Sequence, residues 1–209
     1  MTDERRGGFT LWFTGLPSSG KSTVAKRVEE ELRSRGVEMH NLDGDDVRGK
    51  LHPDLGFTEE ERATNNRRVA FIARLLNEHD IGVIVAAISP FQDARENARD
   101  EIEQGGDFIE IFVDCPVEIC KERDPKGLYE QAENGEIDNF TGVNHPYEEP
   151  DEPEITVNTA EDTPEECVSH VLDRLDDLGV LETRDQHTGM TQQDEEQIKD
   201  RLRNLGYIE

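Results

Sequence analysis

Apolar residues along the chain fall in two alternating patterns: short dense runs, and stretches in which they recur every third or fourth position. The short runs lie at 9–13, 37–42, 81–88, 108–113 and 155–157, and each has the length of a strand, most with β-branched or aromatic residues. Between them, Val24, Val28 and Leu32 fall at i, i+4 and i+8, one face of a helix that Gly36 is suited to end. Thr58-Glu59-Glu60-Glu61 reads as a capping box opening a second helix, with Val69, Ile72, Ala73 and Leu76 on its buried face. Thr163-Pro164-Glu165-Glu166 repeats the signal, with proline at the first helical position. Val168, Val171, Leu172 and Leu175 follow at helical spacing, and Gly179 marks the end. Strands alternating with helices predict an α/β domain whose parallel sheet is crossed by helices. The run at 81–88 is apolar throughout, as expected of a strand covered on both faces.

Two segments break the pattern. Between 123 and 153 the periodicity dissolves into Gly, Pro, Asn and charge, and a loop of that length in a compact domain usually serves as a lid. From 181 to 209 the chain is polar and acidic, apart from Ile198, Leu202 and Leu205, which could line a short helix. The expected organisation is one domain over 1–180, with a lid at about 123–153 and an appended tail over 181–209.

Charge changes the picture. The chain has 209 residues and a formal net charge of −26, and only 23 residues are Lys or Arg against 49 Asp and Glu. Such a surface repels itself and repels nucleic acid, so no nucleic-acid partner is expected. It is best tolerated where salt shortens the Debye length to about 3 Å near 1 M, which suggests a halophilic, salt-adapted protein. The three cysteines, at 115, 120 and 167, are odd in number and form no metal-binding spacing, so buried reduced thiols are expected. The longest clean apolar run, 83–88, is far too short to span a bilayer. Arg5-Arg6 is followed by a strand rather than a cleavable apolar segment. The expected location is the cytoplasm, with no membrane partner.

The chemistry begins at "GLPSSGKST", residues 15–23. Gly15-x4-Gly20-Lys21-Ser22 fits the Walker A pattern and stands after a strand and before a helix, as that pattern requires. Gly15, Leu16, Pro17, Ser18, Ser19, Gly20, Lys21, Ser22 and Thr23 are therefore the expected ATP-binding turn. Backbone N–H groups form a nest for phosphate oxygens, and the following helix adds its positive end. Lys21 would reach the β- and γ-phosphates, and the Ser22 hydroxyl would ligate Mg²⁺.

Other candidates sit at expected strand ends. Asp43 and Asp45 close the second strand two residues apart, so in extended geometry they point the same way. A carboxylate there could order Mg²⁺-bound water or accept a proton from an attacking hydroxyl, or it could be a solvated Asp-Gly turn. Arginine and lysine are informative because they are scarce. Arg48 follows the aspartates, Arg62 and Asn65 lie one turn apart on the second helix, Arg67 and Arg68 follow, and Arg123 and Lys126 open the lid. Singly, each could be a surface ion-pair partner; together they read as an anion pocket. Ser89 ends the third strand beside Pro90. Phe57 and Phe140 are loop aromatics, either small core contacts or the two walls of a slot for a flat ring.

These segments, "GLPSSGKST", "DGDDVR", "DLGF", "NNRRVAFIARLL", "ISPF", "RDPKGLY", "GEIDNFTGV" and "PYEEP", stand in the order found in adenylyl-sulfate kinases. The chain resembles that family over about residues 9–178. The resemblance implies a three-layer P-loop kinase fold with a central parallel five-stranded sheet and a lid loop. It implies transfer of the ATP γ-phosphate to the ribose 3′-hydroxyl of adenylyl sulfate, with Mg²⁺, in sulfate assimilation. It places Asp45 near the acceptor hydroxyl, with Asp43 supporting it or the metal. It assigns Arg48, Arg62 and Asn65 to adenylyl sulfate, Phe57 and Phe140 to its adenine, Ile88 and Ser89 to the same pocket, and Lys126 to the lid. The family's Ser89 equivalent is sometimes assigned a phosphoserine intermediate, whereas direct in-line transfer needs only positioning and charge stabilisation. Asp46 stands where the family usually has asparagine, and the 181–209 tail matches no family segment. A homodimer is left open. The competing readings are a P-loop kinase for another small nucleotide or hydroxyl acceptor, and a non-catalytic nucleotide-binding regulator.

Overall fold

A computed structural model describes residues 8–42, 54–56 and 58–181. By its contacts the chain divides into two compact units, Met1–Arg174 and Leu175–Glu209. The first holds the sheet. The helix expected around Ile198, Leu202 and Leu205 lies outside the described residues.

Five strands run in chain order: β1 (Phe9–Thr14), β2 (Met39–Asn41), β3 (Gly82–Ala86), β4 (Asp107–Asp114) and β5 (Ile155–Asn158). All pair in parallel, in the order β2-β3-β1-β4-β5. Every residue of β1 and β3 is buried, because helices cover both faces. The order makes β1 central, so the turn after β1 emerges where strand order reverses, the place where open α/β sheets bind ligands.

The crossovers are α1 (Lys21–Ser34), α2 (Glu59–Asn77) and α3 (Gln92–Ile102). The predicted face of α1 is buried at Val24, Val28 and Leu32. The box predicted for α2 forms: Glu61 N donates to Thr58 Oγ1 at 3.3 Å, and Thr58 N donates to Glu61 Oε2 at 3.0 Å. Val69, Ala70 and Ala73 pack with Trp12, Val83, Val85, Ala98, Ile102 and Phe108, and Ile72 and Leu76 seal that cluster. The last described helix, α6 (Pro164–Asp177), opens on the box predicted at Thr163 and Glu166. Its buried face includes Cys167 as well as Val171 and Leu172.

The predicted strands at 37–42 and 81–88 come out shorter. Val37 N donates to Leu32 O, so Val37 closes α1 instead of opening β2. α3 has no counterpart in the sequence reading. Its apolar signal is only Ala94, Ala98 and Ile102, spaced by four, and its other buried position is charged. That residue, Arg95, lies 2.7 Å from Glu110 of β4, and Arg99 grips Glu154 at 2.8 and 3.0 Å. Burial pushes the Glu110 carboxyl up, while Arg95 and Arg99 pull it down.

The lid is the main departure. The segment expected as an irregular loop contains α5 (Leu128–Glu133), preceded by α4 (Val117–Arg123). It carries its own core, in which Tyr129, Ala132 and Phe140 pack with Cys115 and Cys120 against Leu16, Val117, Leu128, Ile137 and Val143. A one-turn helix and scattered apolar residues give no periodicity to read, but three-dimensional clustering makes the lid a packed layer. No helix among the described residues is long and apolar enough to cross a membrane.

Candidate active site

The turn between β1 and α1 is shaped for a phosphate. A side chain on Gly15 would meet Val113 O at 2.6 Å, so only glycine lets the chain pass over β4 here. Gly20, the N-cap of α1, adopts φ +99. That N-cap offers no side-chain hydrogen bond, and the first turn of α1 has no acidic residue. Each of the other five described helices has at least one acid in its first turn. In a chain this acidic, the one bare start among the described helices is the one whose positive end remains for an anion.

Lys21 is buried, and its ammonium donates to Gly15 O at 3.0 Å and Leu16 O at 2.6 Å, folded back over the turn. Ser22 and Thr23 are exposed in the first turn of α1. Ser19 is wholly buried, and its carbonyl accepts from Thr159 Oγ1 at 2.6 Å. Arg123, at the end of α4, donates to Thr159 O at 2.5 Å and Thr159 Oγ1 at 3.2 Å. The turn is therefore braced from behind by the segment after β5. Leu16 contributes its side chain to the lid core.

The residues that follow β3 lie across the same sheet rim. Ser89 follows β3 with φ 42, an uncommon left-handed conformation for a residue bearing a side chain. Its hydroxyl oxygen accepts from Trp12 Nε1 at 3.1 Å and Asn66 Nδ2 at 3.2 Å, and its carbonyl accepts from Arg95 at 2.8 Å. Ile88 is half-buried, and its carbonyl accepts from Thr14 Oγ1 at 2.8 Å. Thr14 also meets the Tyr147 hydroxyl at 2.9 Å, and burial pushes that phenol up to about 12. From α2, Arg62 donates to Asn139 O at 2.9 Å, which fastens the turn carrying Phe140. Asn65 lies on the same helix, one turn beyond Arg62 and beside Asn66. Phe140 is buried and packs edge-on against Tyr129 at 4.9 Å.

Two of the predicted cations, Arg67 and Arg68, are engaged on the surface instead. Arg68 pairs with Asp54 on the surface, and exposed Arg67 donates to Thr64. Lys126 is exposed in the turn that Asp124 ties to α5 by accepting from the N–H groups of Leu128 and Tyr129, each at 2.9 Å. Asp43, Asp45, Asp46, Arg48 and Phe57 lie outside the described residues. Sequence reasoning missed Trp12, Thr14, Asn66, Tyr129, Tyr147 and Thr159. Trp12 and Thr14 look like ordinary strand residues, whereas Tyr129 and Tyr147 stand inside the quoted motifs "RDPKGLY" and "PYEEP" and were visible there.

The cysteines are free and buried, as expected. Burial pushes the Cys120 thiol up to about 12 and raises Cys167 as well, so both stay protonated and unreactive near neutral pH. Among the described residues, no group of three His, Cys, Asp or Glu side chains could hold a metal ion by itself. Exposed Ser22, at a helix start shaped for phosphate, suits Mg²⁺ held mainly by phosphate oxygens and water.

Comparison with known proteins agrees with this geometry. The family model for adenylylsulphate kinase matches residues 7–158. An adenylyl-sulfate kinase of Clostridium acetobutylicum is 49% identical over 177 residues, 85% of this chain and 88% of that protein. One from Thermodesulfovibrio yellowstonii is 50% identical over 169 residues, 81% of this chain and 84% of that protein. The structure of the Mycobacterium tuberculosis APS kinase CysC in complex with AMPPNP and APS superposes with a TM-score of 0.79 and 43% identity, covering 82% of this chain and 99% of that one. A hexameric APS kinase from Thiobacillus denitrificans gives a TM-score of 0.65 and 32% identity, covering 84% of this chain and 30% of that one. With the bare helix start after β1 and the braced turn before it, these likenesses place the chain in the adenylyl-sulfate kinase family.

Proposed function

We propose that the chain transfers the γ-phosphate of ATP to the ribose 3′-hydroxyl of adenylyl sulfate, giving 3′-phosphoadenylyl sulfate and ADP. The observation that carries this reading is the arrangement of one rim. A phosphate turn with its lysine stands at the end of β1, Ser89 follows β3 and accepts from Asn66 of α2, and Arg62 of the same helix fastens the turn carrying Phe140. A donor phosphate and an acceptor sugar held there would meet across the ends of two adjacent strands.

In this reading backbone N–H groups of the turn from Gly15 to Thr23, Pro17 having none, hold the β- and γ-phosphates. Lys21 leaves the carbonyls of Gly15 and Leu16 to follow the charge that spreads over the γ-phosphoryl oxygens in transfer. Mg²⁺, with Ser22 as a ligand and Asp43 within its shell, would neutralise phosphate charge. Arg62 and Asn65 hold the acceptor's anionic bridge with Arg48, Phe140 and Phe57 flank its adenine, and Lys126 screens the transferring group from the lid. The 3′-oxygen attacks the γ-phosphorus in line, the bond to the β–γ bridging oxygen breaks, and Asp45 accepts the hydroxyl proton. Ser89 positions rather than reacts. Its oxygen already accepts two N–H bonds, which occupy the lone pairs a nucleophile would use.

Arg62→Ala separates the two substrates. It should raise the KM for adenylyl sulfate about 10- to 100-fold, the loss of one charge-assisted contact, with the KM for ATP nearly unchanged. Steady-state kinetics with each substrate varied in turn reads this. An equal rise for both would contradict the division of the rim.

The charge of −26 adds a condition. Thermal unfolding should shift upward by several degrees between dilute buffer and about 1 M KCl, where repulsion between surface carboxylates is screened within about 3 Å. A melting temperature independent of KCl would remove the salt-adapted reading. Cytoplasmic location belongs to the same reading. Assembly into an oligomer fits it as well, because the Thiobacillus relative is hexameric and a homodimer is the smaller form expected here.

A further inference from the structure

Among the described contacts, Tyr129 touches both halves of the rim. Its hydroxyl donates to Pro17 O, inside the phosphate turn, at 3.0 Å. Its ring meets Phe140, the acceptor-side aromatic, edge-on with centroids 4.9 Å apart and an interplanar angle of 81°. The residue is 2% exposed, and its backbone N–H is held by Asp124, so neither end is free to swing. Packing around the bridge is tight. A side chain on Gly142, two residues past Phe140, would meet Leu16 Cδ2 at 3.2 Å and the Tyr129 hydroxyl at 3.5 Å. Burial raises the phenol, so the hydroxyl stays protonated and remains a donor near neutral pH. Pro17 has no N–H of its own, and its carbonyl lies between Leu16, whose carbonyl Lys21 grips, and Ser18, which sits at φ 61. One hydrogen bond and one ring contact thus link the phosphate turn to Phe140, so a shift of the turn on binding phosphate would reach that ring through Tyr129.

We infer that Tyr129 is a positioning residue that couples the two subsites: occupation of the phosphate turn by a nucleoside triphosphate tightens the acceptor slot, and occupation of the slot tightens the turn. This rests on the assignment of Phe140 to the acceptor. Reciprocity is required, because a binding coupling acts with the same factor in both directions.

Tyr129→Phe keeps the ring and removes the hydroxyl. The test uses the full-length chain and measures dissociation constants for a non-hydrolysable ATP analogue with and without adenylyl sulfate, and for adenylyl sulfate with and without the analogue. Emission from Trp12, the only tryptophan, reports on the acceptor side, because its indole N–H lies on Ser89. In the parent chain each ligand should tighten the other by about 5-fold or more. In Tyr129→Phe the affinities for each ligand alone should change by less than about 2-fold, while the coupling factor falls toward one in both directions. Pro17→Ala, which keeps the accepting carbonyl, should retain the coupling. A purely structural tyrosine would weaken both ligands or lower the melting temperature and leave the coupling factor intact. That outcome, or equal coupling in parent and Tyr129→Phe with both ligands bound, overturns the inference alone. Failure of the parent chain to bind adenylyl sulfate overturns the acceptor assignment and the coupling with it.

Discussion

Replacing Lys21 with alanine should lower kcat/KM by about a thousandfold, the scale of losing a preorganised charge aimed at the transferring group. Lys21 is buried, but its ammonium only supplements the turn's own backbone bonds. Ser19 N already donates to Leu16 O at 3.2 Å, so the backbone keeps its shape without the lysine. The melting temperature should therefore stay within a few degrees of the parent, as expected when less than about 1 kcal/mol is lost. Initial rates beside a thermal melt separate the two effects. Lys21→Arg should rescue little, because a planar fork cannot fill the place of a compact ammonium over Gly15 and Leu16. Activity within about tenfold of the parent in Lys21→Ala would remove the turn from the chemistry.

The second large effect concerns Ser89, and it is chiefly one of stability. Ser89→Ala strands two buried donors, Trp12 Nε1 and Asn66 Nδ2, whose shared acceptor disappears. Each buried group left unpaired costs about 1–3 kcal/mol, so a loss of several kcal/mol and a fall in melting temperature of roughly 5–15 °C are expected. The acceptor KM should rise because Ile88 and the Arg95-bound carbonyl shift together, yet the folded fraction should still transfer phosphate. A serine forming a phosphoenzyme would give the opposite pattern: transfer abolished, stability little changed, and phosphate trapped on the parent chain during turnover.

The contrast between these residues shows what the sequence could reveal. Lys21 was readable because the Walker A spacing ties each residue to a phosphate contact, and the strand and helix around it were readable from their periodicity. The five parallel strands and both Thr-to-Glu caps were likewise visible, since burial on both faces and caps leave local signatures. The role of Ser89 was not. Its two partners lie 77 and 23 residues away and resemble a core tryptophan and a helix-surface asparagine. The helical content of the lid was hidden for a related reason. Its core is assembled from Tyr129, Phe140, Cys115 and Leu16, which are separated in the chain and meet only in space. The scarcity of cations did not by itself separate Arg62, which fastens the turn carrying Phe140, from Arg68, which a surface aspartate claims. In so acidic a chain an arginine finds a carboxylate almost anywhere. The absence of acids at the start of α1 was the sharper signal.

The most direct test of the central claim is to identify the product. The chain is incubated in high KCl with Mg²⁺, γ-labelled ATP and adenylyl sulfate, and the label is followed by phosphorus NMR and chromatography. The account predicts that label moves stoichiometrically onto the ribose 3′-oxygen of adenylyl sulfate, with ADP formed in equal amount. Label left in ATP or released as free phosphate, with adenylyl sulfate unchanged, would contradict it.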